Sequence, residues 1–283
     1  FARRTTVAVH DGVTRIEAYL QDPAVVERIG APSSVTLQQR NGQPLARTTF
    51  TWGRHTYGTG YETRSFGYPS SIRVERFELD GVRVSSTVTL GTFDTYGTLA
   101  QRQVLTTEHA KGSNPGAQHV ENTLLGGVVH DTTNWCLGRP ASIQVTRQHG
   151  LPGGAPVTRS VALAWDYLRC RATQQTVEPS STTVRVTTDF AYDAYGNVGT
   201  MSVTPAAQPV RTTSYTWADN GRYLGRTTNA EGHVETMTWD AALARPASIT
   251  DPNGLVTTLQ HDPLGRLAQQ ARPDGTSLAL ARE

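Results

Sequence analysis

Apolar and polar residues alternate along this chain in short runs with a period of two. In the stretch 182–190, Val184 and Val186 alternate with Thr183, Arg185 and Thr187, the pattern of a half-buried strand. Thr and Val dominate such runs, and 26 Gly and 15 Pro fall between them, the punctuation of strands separated by turns. Sustained helical spacing is missing. Only Asp22 to Ile29 reads as a helix, with Asp22 as N-cap, Pro23 as first residue and Gly30 as stop. The pattern therefore predicts an all-β chain. The outward positions are Thr, Arg and Gln, so one face is wet. The apolar content of 37% suits a single curved sheet better than a filled sandwich.

Self-similarity refines this picture. An aromatic, an Asp, two variable residues and a Gly recur as Phe93-Asp94-Thr95-Tyr96-Gly97, Tyr192-Asp193-Ala194-Tyr195-Gly196 and His261-Asp262-Pro263-Leu264-Gly265. Trp239-Asp240 opens a degenerate copy and Trp217-Ala218-Asp219 a slipped one. Tyr192, Trp217, Trp239 and His261 lie 25, 22 and 22 residues apart. Midway come second turns at Asn229–Gly232, Asp251–Gly254 and Arg272–Gly275. Asp or Asn can bond the amides ahead of it, Pro presets φ and Gly accepts positive φ, so these segments suit tight turns. Each period reads strand, turn, strand, turn: an array of antiparallel β-hairpins with a period near 22 residues. Residues 1–90 form a degenerate β-rich region, and residues 91–283 carry the clear repeats.

Charge and cysteines narrow the function classes. With 26 Lys+Arg against 24 Asp+Glu, and Lys111 the only lysine, the chain has no basic footprint for nucleic acid. No run of about 18 apolar residues offers a membrane-spanning helix. The chain starts at Phe1 rather than at a methionine, which reads as a cut or processed piece. Its two cysteines, Cys136 and Cys170, lie in strand-like segments. Either they form a cross-strand disulfide, closing a loop of about 35 residues for roughly 3.5–4 kcal/mol in an oxidising compartment, or they are buried free thiols.

The Tyr-Asp-x-x-Gly-Asn unit at Tyr192 to Asn197, its relative at His261 to Arg266 and the interleaved Asp251-Pro252-Asn253-Gly254 turn resemble those of RHS/YD-repeat proteins. Asn134 to Pro140 and Gln175 to Pro179 resemble segments of the long bacterial members related to toxin-complex shells. The resemblance implies a strip of hairpins forming a segment of a hollow β-shell that encloses a secreted bacterial toxin or effector. The implied partners are the rest of the same polypeptide or a second shell subunit, and a toxin cargo polypeptide. The implied location is secreted or at the bacterial cell surface. Complete shells of this family need many more repeats, so the chain reads as a fragment. An alternative class is an adhesin that binds a glycan or a receptor.

Candidate chemistry is sparse. The family's terminal core carries a Pro-x-x-x-x-Asp-Pro-x-Gly-Leu signature associated with self-cleavage after the Leu. Pro246, Asp251, Pro252, Gly254 and Leu255 fit that spacing. The competing reading is an ordinary repeat turn, since the repeat continues after Leu255. The aspartates Asp94, Asp193, Asp240 and Asp262 read as turn-stabilising residues along a rim, with glycines Gly97, Gly196 and Gly265. Glycosidase catalysis requires two carboxyls across one sugar, and calcium loops require a different spacing. No His-Glu-x-x-His, zinc cluster, nucleophile elbow or phosphate loop occurs. The expectation is no catalytic residue, no metal and no cofactor. The one aromatic-rich patch holds Trp52, Tyr57, Tyr61 and Tyr68. It reads either as a stacking platform for a sugar or partner chain, or as a loop over a sheet edge.

Overall fold

The computed structural model describes residues 3–9, 13–20, 30–57, 60, 63–109, 115–150 and 154–280. The helix expected at Asp22–Ile29 and the patch residue Tyr61 lie outside them. The described residues hold antiparallel strands and turns and no α-helix, so the chain is all-β as its period-two pattern predicts. Two compact units divide it: residues 1–162 with 167–170, and residues 163–166 with 171–283.

The first unit is a meander of β1 (Arg3–Val9), β2 (Val13–Tyr19), β3 (Pro32–Gln38), β4 (Pro44–Tyr57), β5 (Arg64–Phe77), β6 (Arg83–Phe93), β7 (Leu99–His109) and β8 (Pro115–Gly126). Each strand pairs antiparallel with the next. The chain then leaves the sheet for a two-stranded ribbon, β9 (Val129–Asp131) and β10 (Cys136–Arg139). It returns as β11 (Ser142–Gly150), which pairs with β8 and with the first residues of β12 (Val157–Asp166).

The second unit continues the same grammar with shorter strands. These are β13 (Arg171–Val177), β14 (Val186–Tyr192), β15 (Val198–Pro205), β16 (Arg211–Ala218), β17 (Tyr223–Thr228), β18 (Val234–Asp240), β19 (Arg245–Thr250), β20 (Val256–His261), β21 (Leu267–Ala271) and β22 (Ser277–Ala279). Again each pairs antiparallel with its successor.

Three local expectations are corrected. The alternation at 182–190 becomes a strand only from Val186, because the Ser181 hydroxyl accepts the amides of Thr183 (3.2 Å) and Val184 (3.1 Å) and holds a turn there. Cys170 lies in the turn before β13 at φ 55°, not in a strand, and Asn134 and Trp135 form the turn that leads into β10. Trp52, Tyr57 and Tyr68 of the aromatic patch lie in strands rather than in a loop: β4 and β5 pair from Ala46↔Arg76 to Tyr57↔Arg64.

Little of either unit is buried. Among the described residues the buried apolar side chains are Cys136, Pro140 and Tyr223. Stability therefore rests on ladders, turns and half-buried aromatics rather than on a filled core.

Candidate functional site

The repeat aspartates nucleate one kind of turn. In Asp193 to Asn197, the Asp193 amide donates to the Asn197 carbonyl (2.9 Å) and the Gly196 amide to the Asp193 carbonyl (3.2 Å). Asp193 Oδ1 then accepts the amides of Tyr195, Gly196 and Asn197 at 2.7–2.9 Å. Gly196 sits at φ 99°, where a side chain is strained. Asp94, Asp251 and Asp262 build the same five-residue turn, each accepting the amides two and four residues on. Asn229 does so with a neutral side chain. Asp240 accepts Ala242 and Leu243 in a longer turn that closes at Arg245, and its left-handed residue is Ala244 (φ 52°), one position later than the Gly of the five-residue turns.

These bonds hold several carboxyls below the ordinary carboxylate range. For Asp94, partial burial pushes the other way, but the Thr98 amide, the His130 ring and the Tyr96 amide outweigh it. For Asp193, desolvation is outweighed by Asn197, through both its amide and its side chain, and by the Gly196 and Tyr195 amides. The Arg266 amide and guanidinium lower Asp262.

A second version of this turn escaped the sequence reading. Gln39 to Gln43 and Glu78 to Val82 close with the same pair of backbone bonds. Their capping side chain stands at the third position: Asn41 accepts the Gln43 amide and Asp80 the Val82 amide, each at 3.0 Å. Asp274 does this for Thr276 in the turn that the sequence does predict at Arg272–Gly275. The signal was present as Asn41-Gly42 and Asp80-Gly81. Residues 39–43 and 78–82 thus form turns closed like those of the clear repeats.

The repeat aromatics have a distinct task. A register shift precedes Trp52, Phe93, Tyr192, Trp217, Trp239 and His261, a β-bulge that re-aims the side chain. In β4 the effect is plain. Arg47, Thr49 and Thr51 are exposed before the bulge and Arg54 and Thr56 after it, so the parity of the faces flips. The re-aimed donors then reach the neighbouring strand. Trp52 Nε1 donates to the Pro32 carbonyl (2.9 Å), Tyr192 Oη to Ala172 (2.7 Å), Trp217 Nε1 to Val198 (2.9 Å) and Trp239 Nε1 to Leu224 (2.8 Å). Each carbonyl lies just past the last paired residue of its ladder: Ser34↔Thr49, Gln174↔Asp189, Thr200↔Ser214 and Arg226↔Thr236. The aromatic satisfies a backbone acceptor where strand pairing has stopped and fastens one hairpin to the preceding one.

The Trp52–Tyr68 patch packs mainly against itself. His55 stacks on Tyr68 (5.1 Å) and Phe66 (5.8 Å), Tyr68 meets Phe93 (4.8 Å), and Tyr57 meets Tyr96 edge-on (5.9 Å). Trp52 is 6.5 Å from Phe50. A ribbon residue joins this cluster: His130 stacks under Tyr96 (4.2 Å) and donates from Nε2 to Asp94 Oδ2 (2.7 Å). The donor role follows because His130 Nδ1 accepts the Gly138 amide. Sequence offered no signal for this residue.

Cys136 and Cys170 are bonded, with Cα atoms 5.2 Å apart across 34 residues of sequence. Arg139 Nε lies 3.2 Å from the Cys170 sulfur. Asp251 and Leu255 occupy a turn like that of Asp262. Asp251 Oδ1 accepts the Asn253 and Leu255 amides, and Leu255 is half exposed. Among the described residues, no group of three or more His, Cys, Asp or Glu is placed to hold a metal ion, and no helix is long and apolar enough to cross a membrane.

Residues 239–277 match the RHS Repeat family model. Comparison with curated proteins finds no significant match. Among solved structures, TcdB2-TccC3 superposes over 90% of this chain at a TM-score of 0.67 and 10% identity, and TcdB2-TccC3-TEV over 91% at 0.69 and 10%. The Photorhabdus luminescens Tc holotoxin pore carrying a TccC3 mutation superposes over 92% at 0.70 and 9%. The chain spans 18–19% of the length of those chains. Residues 239–277 thus match an RHS repeat, and the chain shares its all-β fold with these Tc toxin structures.

Proposed function

We propose that this chain is a wall segment of an RHS/YD-repeat shell that encloses a toxic polypeptide, working by sequestration rather than turnover. One observation carries the reading: four aromatic donors fasten successive strands exactly where backbone pairing ends, with one turn construction repeated between them. Such a construction extends indefinitely by adding hairpins, each covering its neighbour's edge, and needs no reactive group. The fold likeness to Tc toxin structures supports it. The Cys136–Cys170 bond fits an exported, oxidising setting.

The test is made on the whole polypeptide that contains this chain. The reading frame is expected to carry further 22-residue repeats on both sides and a variable tail. That tail should resist protease in the native protein and become sensitive when Trp217 and Trp239 are both changed to Ala. A tail cleaved equally fast with the wall intact overturns the proposal.

A further inference from the structure

Away from the turns, the face formed by β7, β8 and β11 carries a pair of histidines that the wall does not use. His119 on β8 and His149 on β11 are direct partners in the antiparallel register. Their Nδ1 atoms are 2.8 Å apart and their rings meet at 61° with centroids 5.1 Å apart. Two residues along, Arg147 Nε donates to Glu121 Oε2 at 2.8 Å. With Arg102, Val104 and Thr106 of β7 they border a depression of ≈ 230 Å³.

A 2.8 Å contact between two imidazole nitrogens needs one ring to donate and the other to accept. The same separation has a second use. Two nitrogens bound cis to one metal ion at about 2.0 Å and a right angle lie about 2.8 Å apart, whereas a tetrahedral angle sets them about 3.3 Å apart. We propose that His119 and His149 form a two-nitrogen site for a divalent ion of tetragonal preference, Cu²⁺ or Ni²⁺, bridging β8 and β11. Binding moves the shared proton to Nε2 of its own ring, so the neutral pair takes the ion without net proton loss. Each ring turns by roughly 45° from the Nδ1–Nδ1 line for its lone pair to point at an ion held at a right angle. The strands that carry them are already held in register by their ladder.

The charged groups facing the pair are Arg102 from β7, Glu121 from β8 and Arg147 from β11. Glu121 is engaged by Arg147, which leaves Arg102 uncompensated within this set. The ion's remaining positions therefore favour water or a small anion over a further cation. Thr106 of β7 lies opposite His119, and its hydroxyl is engaged by Thr87.

The test is a Cu²⁺ titration of the full chain, free of any histidine tag, followed by electron paramagnetic resonance. One equivalent with a two-nitrogen signature is expected. His119→Gln and His149→Gln should each weaken binding by about tenfold or more, whereas His109→Gln, whose ring is bonded to Ser86, should leave it unchanged. Ni²⁺ should slow amide exchange in β8 and β11 of the unmodified chain, a readout that does not depend on the variants folding. Unchanged affinity in both His119 and His149 variants, a one-nitrogen signature, or no protection by Ni²⁺ overturns the site.

Discussion

The turns at Asp94 and Asp193 are the same five-residue device set in two different surroundings. Both use Oδ1 to gather the amides of the turn. They differ in the second oxygen. Asp193 Oδ2 accepts the Asn197 side chain (3.2 Å), a bond within its own turn. Asp94 Oδ2 accepts His130 (2.7 Å), 36 residues away in the β9–β10 ribbon. The ribbon is itself tied to residues 167–170 by the Cys136–Cys170 bond. The second unit is thus held by contacts that any repeat can supply to the next. The first unit adds long-range ties that are specific to its sequence.

The largest expected effect breaks that difference at the disulfide. Changing Cys136 and Cys170 together to Ala should destabilise the first unit by about 3.5–4 kcal/mol on the chain-entropy account. Amide exchange should rise in β8 to β12 and stay unchanged in β16 to β21. Equal loss in both sets would mean that the ribbon contributes nothing special to the first unit.

The complementary change strikes the repeat grammar of the second unit. Trp239→Phe keeps the ring but removes the donor, leaving the Leu224 carbonyl unpaired. The ring also stacks on Tyr223 at 4.9 Å, a contact Phe preserves in part. A loss of about 1–3 kcal/mol is expected, at the lower end because the site is only part-buried. Urea unfolding of Trp239→Phe beside Trp217→Phe should give similar values. Widely different values would show that the aromatic bond is not a repeating unit of stability.

A smaller effect runs the other way. Ala244 holds a left-handed conformation at φ 52° in the longer turn after Asp240, as Gly196 does at φ 99° in the five-residue turn. Ala244→Gly should stabilise by about 0.5–1 kcal/mol, the relief of strain exceeding the added chain entropy. Gly196→Ala should destabilise, since its new Cβ would stand 2.6 Å from Arg171 Nη2. Opposite signs at the two positions, read from thermal midpoints, are the outcome expected if the left-handed backbone sets the residue preference in both turns; equal signs would overturn that.

Which of these features sequence revealed follows from how local they are. The turns at Asp193, Asp251 and Asp262 were legible because every bond that builds them lies within five residues. The turns at Gln39 and Glu78 were missed because the capping residue moved to the third position, and no aromatic precedes Gln39. The strand at Val186 was drawn too long because Ser181 competes for amides that the alternation alone assigns to a ladder. His130 was invisible: its partner Asp94 is 36 positions away, and a lone histidine in a Val-rich ribbon carries no periodic mark. The Trp52 to Tyr68 segment shows composition misleading in another sense. One of its two readings was a loop over a sheet edge, yet Gly53 is required inside β4, where a Cβ would stand 2.6 Å from the Tyr68 ring.

Acid offers the finest distinction between the two turns. The carboxyls of Asp94, Asp193, Asp262 and Asp274 are held below their ordinary range in the folded protein. A carboxyl lowered by folding contributes stability above its unfolded pKa of about 3.9 and loses it as pH falls through the lower folded value. Unfolding should therefore become easier below about pH 4, in both units. Asp193→Asn separates charge from geometry. Asn229 already builds this turn with a neutral oxygen that accepts the Glu231 and His233 amides, so the variant should keep the backbone bonds of the turn at neutral pH, forfeit only the 3.2 Å bond from the Asn197 side chain, and lose its share of the acid sensitivity. The same change at Asp94 should not be neutral, because the oxygen that accepts from His130 becomes an amide group if the other oxygen is to keep the Tyr96 and Thr98 amides. Urea midpoints of the two variants at pH 7 and pH 3 decide the matter: matched behaviour would mean that the His130 bond adds nothing to a turn that already stands alone.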